Sequence, residues 1–191
     1  MDLDFNAIIG RVTRVFTFDL TVFKEVEDDQ TATQQAWAVV VIAALASAIG
    51  SAINSLITGG GFVGLLLALV LTPIFALIGY FAWSFLTYWV GVNLFQAQTD
   101  FKEMQRVIGF AYAPNALGLL VFIPCVGWLA AFAGGIYALV LTVLAVKEGL
   151  DVEWPQAIIT CVIGWIASMI LIGIPTLIMG LVVGGAAAAL S

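Results

Sequence analysis

The chain has 191 residues, 63% hydrophobic and 9% charged, with a mean hydropathy of +1.14. A soluble domain carries about a quarter charged and about half apolar residues, so this composition excludes a soluble globular enzyme, a disordered chain and a disulfide-stapled secreted module. Six Lys+Arg against twelve Asp+Glu leave no basic footprint for nucleic acid. The pattern is that of an all-α integral membrane protein.

Met1-Asp2-Leu3-Asp4 is acidic and lacks the positive n-region of a secretory signal. Asp2 and the Ala-Ala-Leu-Ser end match no myristoylation or prenylation pattern, so the chain is expected to enter the bilayer through its own spans. Cys125 and Cys161 lie in apolar surroundings outside any CxxC, and there is no His. Both are expected as buried free thiols, with no metal or cofactor.

Residues 1–35 hold ten of the eighteen charged residues and are expected as a cytoplasmic amphipathic and acidic segment. Within it Phe5, Ile8, Ile9, Val12, Val15 and Phe16 recur at 3- and 4-residue spacing, which predicts an amphipathic helix over 3–17. One reading rests this helix on the membrane interface, with Phe5, Ile9, Val12 and Phe16 towards lipid and Arg11 and Arg14 towards phosphates. The other packs it against the protein's own loops. Asp19 is expected to cap a short second helix carrying Leu20, Phe23 and Val26, which the acidic run Glu25, Glu27, Asp28, Asp29 ends.

From Ala36 onwards a single membrane domain, 36–191, is expected. Residues 36–57 are uncharged and about 33 Å long as a helix, matching a ~30 Å hydrocarbon core. The turn Gly59-Gly60-Gly61 follows. Residues 62–94 are again uncharged; at about 50 Å they must tilt, kink at Pro73 or project beyond the bilayer. Residues 95–106 read as a polar loop. Residues 107–146 divide at Ile123-Pro124-Cys125-Val126-Gly127 into spans 107–123 and 128–146. After the polar stretch Lys147 to Pro155, residues 156–190 are apolar, with a break at Gly173-Ile174-Pro175; they form one span or two.

Counted as one, the last block completes a five-transmembrane-helix bundle behind an N-terminal interfacial helix. All six Lys/Arg then fall on one side, which puts the N-terminus in the cytoplasm and the C-terminus outside a multi-pass cell (plasma or inner) membrane protein. Trp37, Tyr88, Trp89 and Trp154 sit near inner ends and Trp128 near an outer one, as interfacial anchors do. Trp83 and Trp165 lie deeper, as packing residues.

Gly59, Gly61 and Gly64 spell GxGxxG, but between two membrane helices and without a βαβ unit they form a turn, not a nucleotide site. Small residues recur four apart: Ala44, Ala48 and Ala52; Ser47, Ser51 and Ser55; Ala130, Gly134 and Ala138; Gly180 and Gly184. Such ridges permit close helix approach, either within one chain or towards a second copy or a partner helix. No Asp, Glu, Lys, Arg or His lies within any expected span, so the acid–base and nucleophilic groups of an intramembrane enzyme are missing. Asn54, Asn93, Asn115, Thr72, Ser84 and Thr142 can satisfy one another or line a narrow polar path, which keeps a passive channel open as a reading.

The lead-in Phe16–Ala36 (FTFDLTVFKEVEDDQTATQQA), the five closely spaced spans, and Val107–Leu117 (VIGFAYAPNAL) at the start of the third together resemble the Yip1 domain family in its short prokaryotic form. Gly109, Tyr112 and Pro114 match that family's Gly/Tyr-x-x-Pro-like opening of the third span. Asp19-Leu20 departs from it, where many prokaryotic relatives carry a Pro before the Phe of the lead-in. Eukaryotic members are implicated in binding prenylated Rab GTPases and in shaping ER–Golgi membranes; their long cytosolic region and DLYGP-like motif have no counterpart here. The resemblance implies a fold and a class, a non-enzymatic integral membrane protein. Read from the residues alone, Pro114 removes a backbone donor and is expected to kink the span's first turns, while Tyr112 anchors at the interface.

The expected function is a membrane scaffold or accessory subunit, in contact with the lipid bilayer and with a protein partner or a second copy through small-residue helix faces. The alternative is a passive pore or a lipid or small-solute transporter.

Overall fold

A computed structural model describes residues 4–167 and 169–170. Its helices are α1 (Phe5–Phe16), α2 (Thr21–Asp28), α3 (Ala32–Ile57), α4 (Gly61–Phe95), α5 (Phe101–Ala111), a 3-10 helix (Ala113–Phe122) and α6 (Val126–Gly149), followed by α7 (Trp154–Ala167). No strand occurs among the described residues. Three helices, α3, α4 and α6, are long and apolar enough to cross a membrane, while the 3-10 helix and α7 are shorter apolar elements. The later part of the 156–190 block, its Gly173-Ile174-Pro175 break, the Gly180/Gly184 ridge, the C-terminus and Leu3 of the first helix lie outside the described residues.

Close contacts set the direction of each element. Gly109 abuts Ala36, while Gly50 sits under the Gly118 and Leu119 carbonyls, so α5 and the 3-10 helix run parallel to α3. Gly149 meets Val107, Gly134 meets Leu117, and Gly127 lies on the Leu120 and Val121 carbonyls, so α6 returns antiparallel to them. Leu150 covers Gly91, and Gly164 faces Trp83 and Thr87. These contacts lay α7 antiparallel to α4.

Several elements depart from the expected boundaries. Residues 101–106, read as loop, are the first half of α5. The cause is a capping box: Glu103 N–H donates to Asp100 Oδ1 at 2.8 Å, and Asp100 N–H donates to Glu103 Oε2 at 2.8 Å. The expected span 107–123 is not one helix but the end of α5 followed by the 3-10 helix. Pro114 therefore marks a change of helix type, not a kink within a continuous α-helix. With no N–H at Pro114 to meet the Phe110 carbonyl, the chain shifts to i→i+3 bonding, and Asn115 N–H and Nδ2 both donate to the Tyr112 carbonyl at 3.0 Å. The register shows the result. Between Ala36 and Gly50, α3 rises about 21 Å, and only nine residues from Gly109 to Gly118 follow it. That stretch relies on the larger 3-10 rise of about 2.0 Å per residue.

Helix α4 continues unbroken through Pro73. Gly59 and Gly61 take the positive φ angles of the tight α3–α4 turn. Helix α2 starts at Thr21, one residue later than an Asp19 cap places it; Asp19 Oδ1 still accepts from Thr21 N–H at 3.1 Å and from Thr21 Oγ1 at 2.6 Å. Cys161 is buried as expected, but Cys125 is exposed, because the tight turn before α6 pushes it outward with φ +64°.

The glycines give a paired test of this packing. Gly50→Ala places a methyl on the Gly118 and Leu119 carbonyls and is expected to cost about 1–3 kcal/mol by overpacking. Gly135→Ala, with nothing within 4 Å of the new methyl, is expected to leave the thermal midpoint unchanged or raise it. Melting curves of the two detergent-solubilised variants distinguish them, and equal midpoints would refute the close approach.

Candidate functional site at the charged end of the bundle

Helices α1 and α2, the start of α5 and the turn after α6 meet at one end of the bundle. The contact on which they converge is Arg106, 4% exposed on α5. Its Nε donates to the Val26 carbonyl at 2.9 Å, a second guanidinium nitrogen donates to the Glu27 carbonyl, and a third approaches Thr33 Oγ1 at 3.4 Å. Val26 and Glu27 belong to the last turn of α2, where carbonyls lack intrahelical partners and the helix dipole favours a cation. The Glu103 carboxylate lies 3.9 Å away.

Helix α1 is tied down by two further guanidinium groups. Arg11 pairs with Glu25 at 2.9 Å and Asp29 at 2.6 Å, and donates to Gln35 Oε1 at 2.7 Å, linking α1 to α2 and to the start of α3. Arg14 pairs with Asp19 at 2.8 Å and with Glu25, and donates to Thr21 Oγ1 at 2.9 Å. Both are thus engaged by carboxylates of the chain itself. Lys24 pairs with Glu27 at 2.9 Å and reaches Asp151 at 3.0 Å, tying α2 to the turn after α6.

These contacts move the carboxylates in opposite directions. Hydrogen bonds from Arg14, acting against partial burial, and then from Arg11 hold Glu25 below its ordinary value. For Asp29, burial pushes upward, but hydrogen bonds from Thr31 and Arg11 outweigh it and the net shift is downward. Burial pushes Glu27 up, only partly offset by Lys24.

The apolar side of α1 divides in two. Ile8 and Val15 are buried, with Val12 beside them, in a core with Phe23, Phe110 and Leu141. Phe5, Ile9 and Phe16 remain exposed. At the α1–α2 turn, Phe16 and Phe18 flank Tyr137, with ring centroids 5.8 and 5.0 Å away. The Tyr137 hydroxyl donates to the Phe16 carbonyl at 2.8 Å. Tyr137 lies ten residues before Lys147 on α6, about 15 Å along its axis, so the turn lies beside the apolar part of α6.

Gly109, Tyr112 and Pro114 lie together where α5 becomes the 3-10 helix. A side chain at Gly109 would meet Ala36 Cβ at 2.7 Å and Tyr80 Oη at 3.2 Å. Tyr80, buried on α4, donates to the Gln105 carbonyl at 2.7 Å and packs edge-on against Trp37 and Tyr112, at 5.2 and 6.1 Å. The small-residue ridges receive the 3-10 helix. Ser47 Oγ donates to the Asn115 carbonyl at 2.8 Å. Gly134 faces Leu117 and Pro114, and Ser55 lies against Gly60 and Gly64. Ser51 and Ala130 are partly exposed.

Three of the six polar side chains considered for a path are turned to backbone: Asn93 to the Trp89 carbonyl, Asn115 to Tyr112 and Thr142 to Ala138. Among the described residues no group of His, Cys, Asp or Glu side chains is gathered as a metal site. Sequence reading missed Arg106 and Tyr80 as organising residues. The Asp100-x-x-Glu103 box and the helical spacing of Phe101, Met104, Val107, Ile108 and Ala111 were signals for the helix that carries Arg106, not for its contact with α2.

Two predictions follow from Arg106 and the carboxylates. Arg106→Ala is expected to free residues 5–28 for limited proteolysis while α3–α6 stay folded, at about 1–3 kcal/mol per orphaned carbonyl. Arg106→Lys is expected to restore this only in part, because an ammonium cannot make the forked contact. Equal protection in Arg106→Ala and the parent would show the contact to be dispensable. The lowered values of Glu25 and Asp29 mean that their stabilisation is complete at neutral pH and lost as pH falls through and below the ordinary carboxylate range. Glu27, shifted upward, instead sheds a burial penalty when it protonates. Amide exchange of residues 5–16, corrected for intrinsic rates, is therefore expected to accelerate only once pH falls into the ordinary carboxylate range and below it, and acceleration near neutral pH would contradict the assignment.

A family model, the Yip1 domain, matches residues 14–183. No curated protein and no solved structure matches the sequence. The matched region takes in the α1–α2 turn, the lead-in, α3 to α7 and the Gly109–Tyr112–Pro114 junction. Apolar helices long enough to cross a bilayer accord with a membrane family, and the chain belongs to the Yip1 domain family.

Proposed function

We propose that this protein is a non-enzymatic scaffold or accessory subunit of a membrane assembly, placed in the cell (plasma or inner) membrane with its N-terminus in the cytoplasm and its C-terminus outside. In this reading the apolar part of the chain, 36–191, is a five-span membrane domain, and the 1–35 segment is its cytoplasmic cap. The observation that carries the proposal is the joining of chain-distant charges at one end: Arg106 bonded to Val26 and Glu27, and Lys24 paired with Asp151. A surface assembled from three parts of the sequence, with charges confined to it, suits recognition of a partner on the cytoplasmic side. The positive-inside rule supports that orientation.

The exposed Phe5, Ile9 and Phe16 on α1 support contact of the cap with the leaflet. The small-residue faces that seat the 3-10 helix are used within the chain, which favours the cap over those ridges as the partner surface. The backbone bonding of Asn93, Asn115 and Thr142 lends a pore no support.

Extraction of the tagged full-length protein into native nanodiscs, with stoichiometry read by mass spectrometry, tests the proposal. A partner at fixed ratio is expected, lost when Asp28 and Asp151 are both changed to Asn. A lone monomer or homo-oligomer that conducts solute in liposomes would overturn it.

A further inference from the structure

The described residues of α4, α6 and α7 do not close against one another. They leave a cleft of about 820 Å³ between them, with Tyr112 and Asn115 also in its wall. Gly79, Ala76, Gly135 and Ala138 keep its floor low, and no atom lies within 4 Å of where a Gly135 side chain would begin. Along α6 the wall runs from Gly135 to Val143, about 6–18 Å from Lys147, within the apolar part of that helix.

Water is a poor occupant of this space. A buried water needs two to four polar partners, and the wall offers few for a space of this size. Tyr80 Oη donates to Gln105, Asn115 Nδ2 to Tyr112 and Thr142 Oγ1 to Ala138; the other polar side-chain groups of the wall are the Tyr112 hydroxyl, the Cys161 thiol, Asn115 Oδ1 and the indole N–H groups of Trp83 and Trp165. An empty cleft of this size would forfeit dispersion contacts along every wall. The rim indicates what fills it. Phe75, Leu139, Ile158, Val162 and Trp165 line the cleft, and the neighbouring Ile78, Ile136, Val140 and Ile159, outside the lining, are apolar side chains exposed on the surface of the same three helices. That surface faces hydrocarbon when the helices stand in a bilayer, and it continues without a polar border into the cleft.

We propose that the cleft is a lipid site that takes an acyl chain of a phospholipid from the surrounding leaflet, held against Trp83 and Trp165. The site is independent of the scaffold reading. It gives the protein a bound lipid between helices α4, α6 and α7 whether or not a protein partner is engaged.

The test uses the full-length protein in phospholipid vesicles doped with a phospholipid carrying a diazirine on its acyl chain, with adducts mapped by mass spectrometry after irradiation. Adducts are expected on Trp83, Tyr112 and Thr142 inside the cleft, as well as on the outward Trp128. Gly135→Leu, whose Cβ meets no atom within 4 Å and whose side chain extends into the cleft, is expected to reduce the inner adducts and leave those on Trp128. Ala133→Leu, on the exposed side of α6, is expected to change neither. Adducts confined to outward residues in the parent protein would overturn the proposal, pointing to residues 171–191 or a second copy as the filler. Inner adducts that persist in Gly135→Leu, or that form only with a diazirine fatty acid, would overturn it as well.

Discussion

A guanidinium taken out of water must find acceptors inside the protein, and Arg106 finds them at the carbonyl end of α2. Two deficits cancel there. The last turn of a helix has carbonyls without partners, and a buried arginine has donors without partners. The geometry is specific because the planar fork addresses Val26 and Glu27 together. Helix α2 is thereby fixed against α5, and with it everything α2 carries: the carboxylates that hold Arg11 and Arg14, and the lysine that meets Asp151. The cap is therefore a tertiary structure, built from pieces far apart in the chain.

The second constraint is the change of helix type at Tyr112. A 3-10 stretch of ten residues is unusual, because runs beyond three or four residues have poorer hydrogen-bond geometry. Here it is enclosed by glycines. Gly50 on α3 and Gly127 on α6 bring helix backbones up to its carbonyls, and Gly134 admits Leu117. Close backbone contact of this kind is how small residues join helices in an apolar solvent, where the hydrophobic effect contributes nothing between them. Tyr80 then locks the junction from the side of α4, through its bond to Gln105.

Helix α1 ties these two regions together. One side of it contributes Ile8 and Val15 to the core, the ionic contacts hold its polar side, and Phe5 and Ile9 are left outward. Its far end is held against Tyr137. The same segment thus packs on the bundle and leaves Phe5, Ile9 and Phe16 exposed, while Val12 turns to the core and Arg11 and Arg14 to carboxylates of the chain.

What the sequence by itself determined was the membrane class, the long apolar helices and the places where the chain turns. Hydrocarbon demands uninterrupted apolar runs, and Gly and Pro punctuate them at 59–61 and 123–127 regardless of what packs nearby. The amphipathic character of residues 5–16 was legible for the same reason, since 3.6-residue periodicity is a local property. Tertiary structure alone decided the rest. A charged residue near the end of a polar run looks solvated until another helix terminus arrives beside it, so Arg106 could not be told from Lys102. Likewise Arg11 and Arg14 find carboxylates 14 and 11 residues away at Glu25, through a turn whose angle no local signal specifies. The 3-10 helix has the composition of an ordinary apolar span. Its stretched form depends on glycines of two neighbouring helices, because only their backbones, brought close, can stabilise a geometry that an isolated helix would abandon.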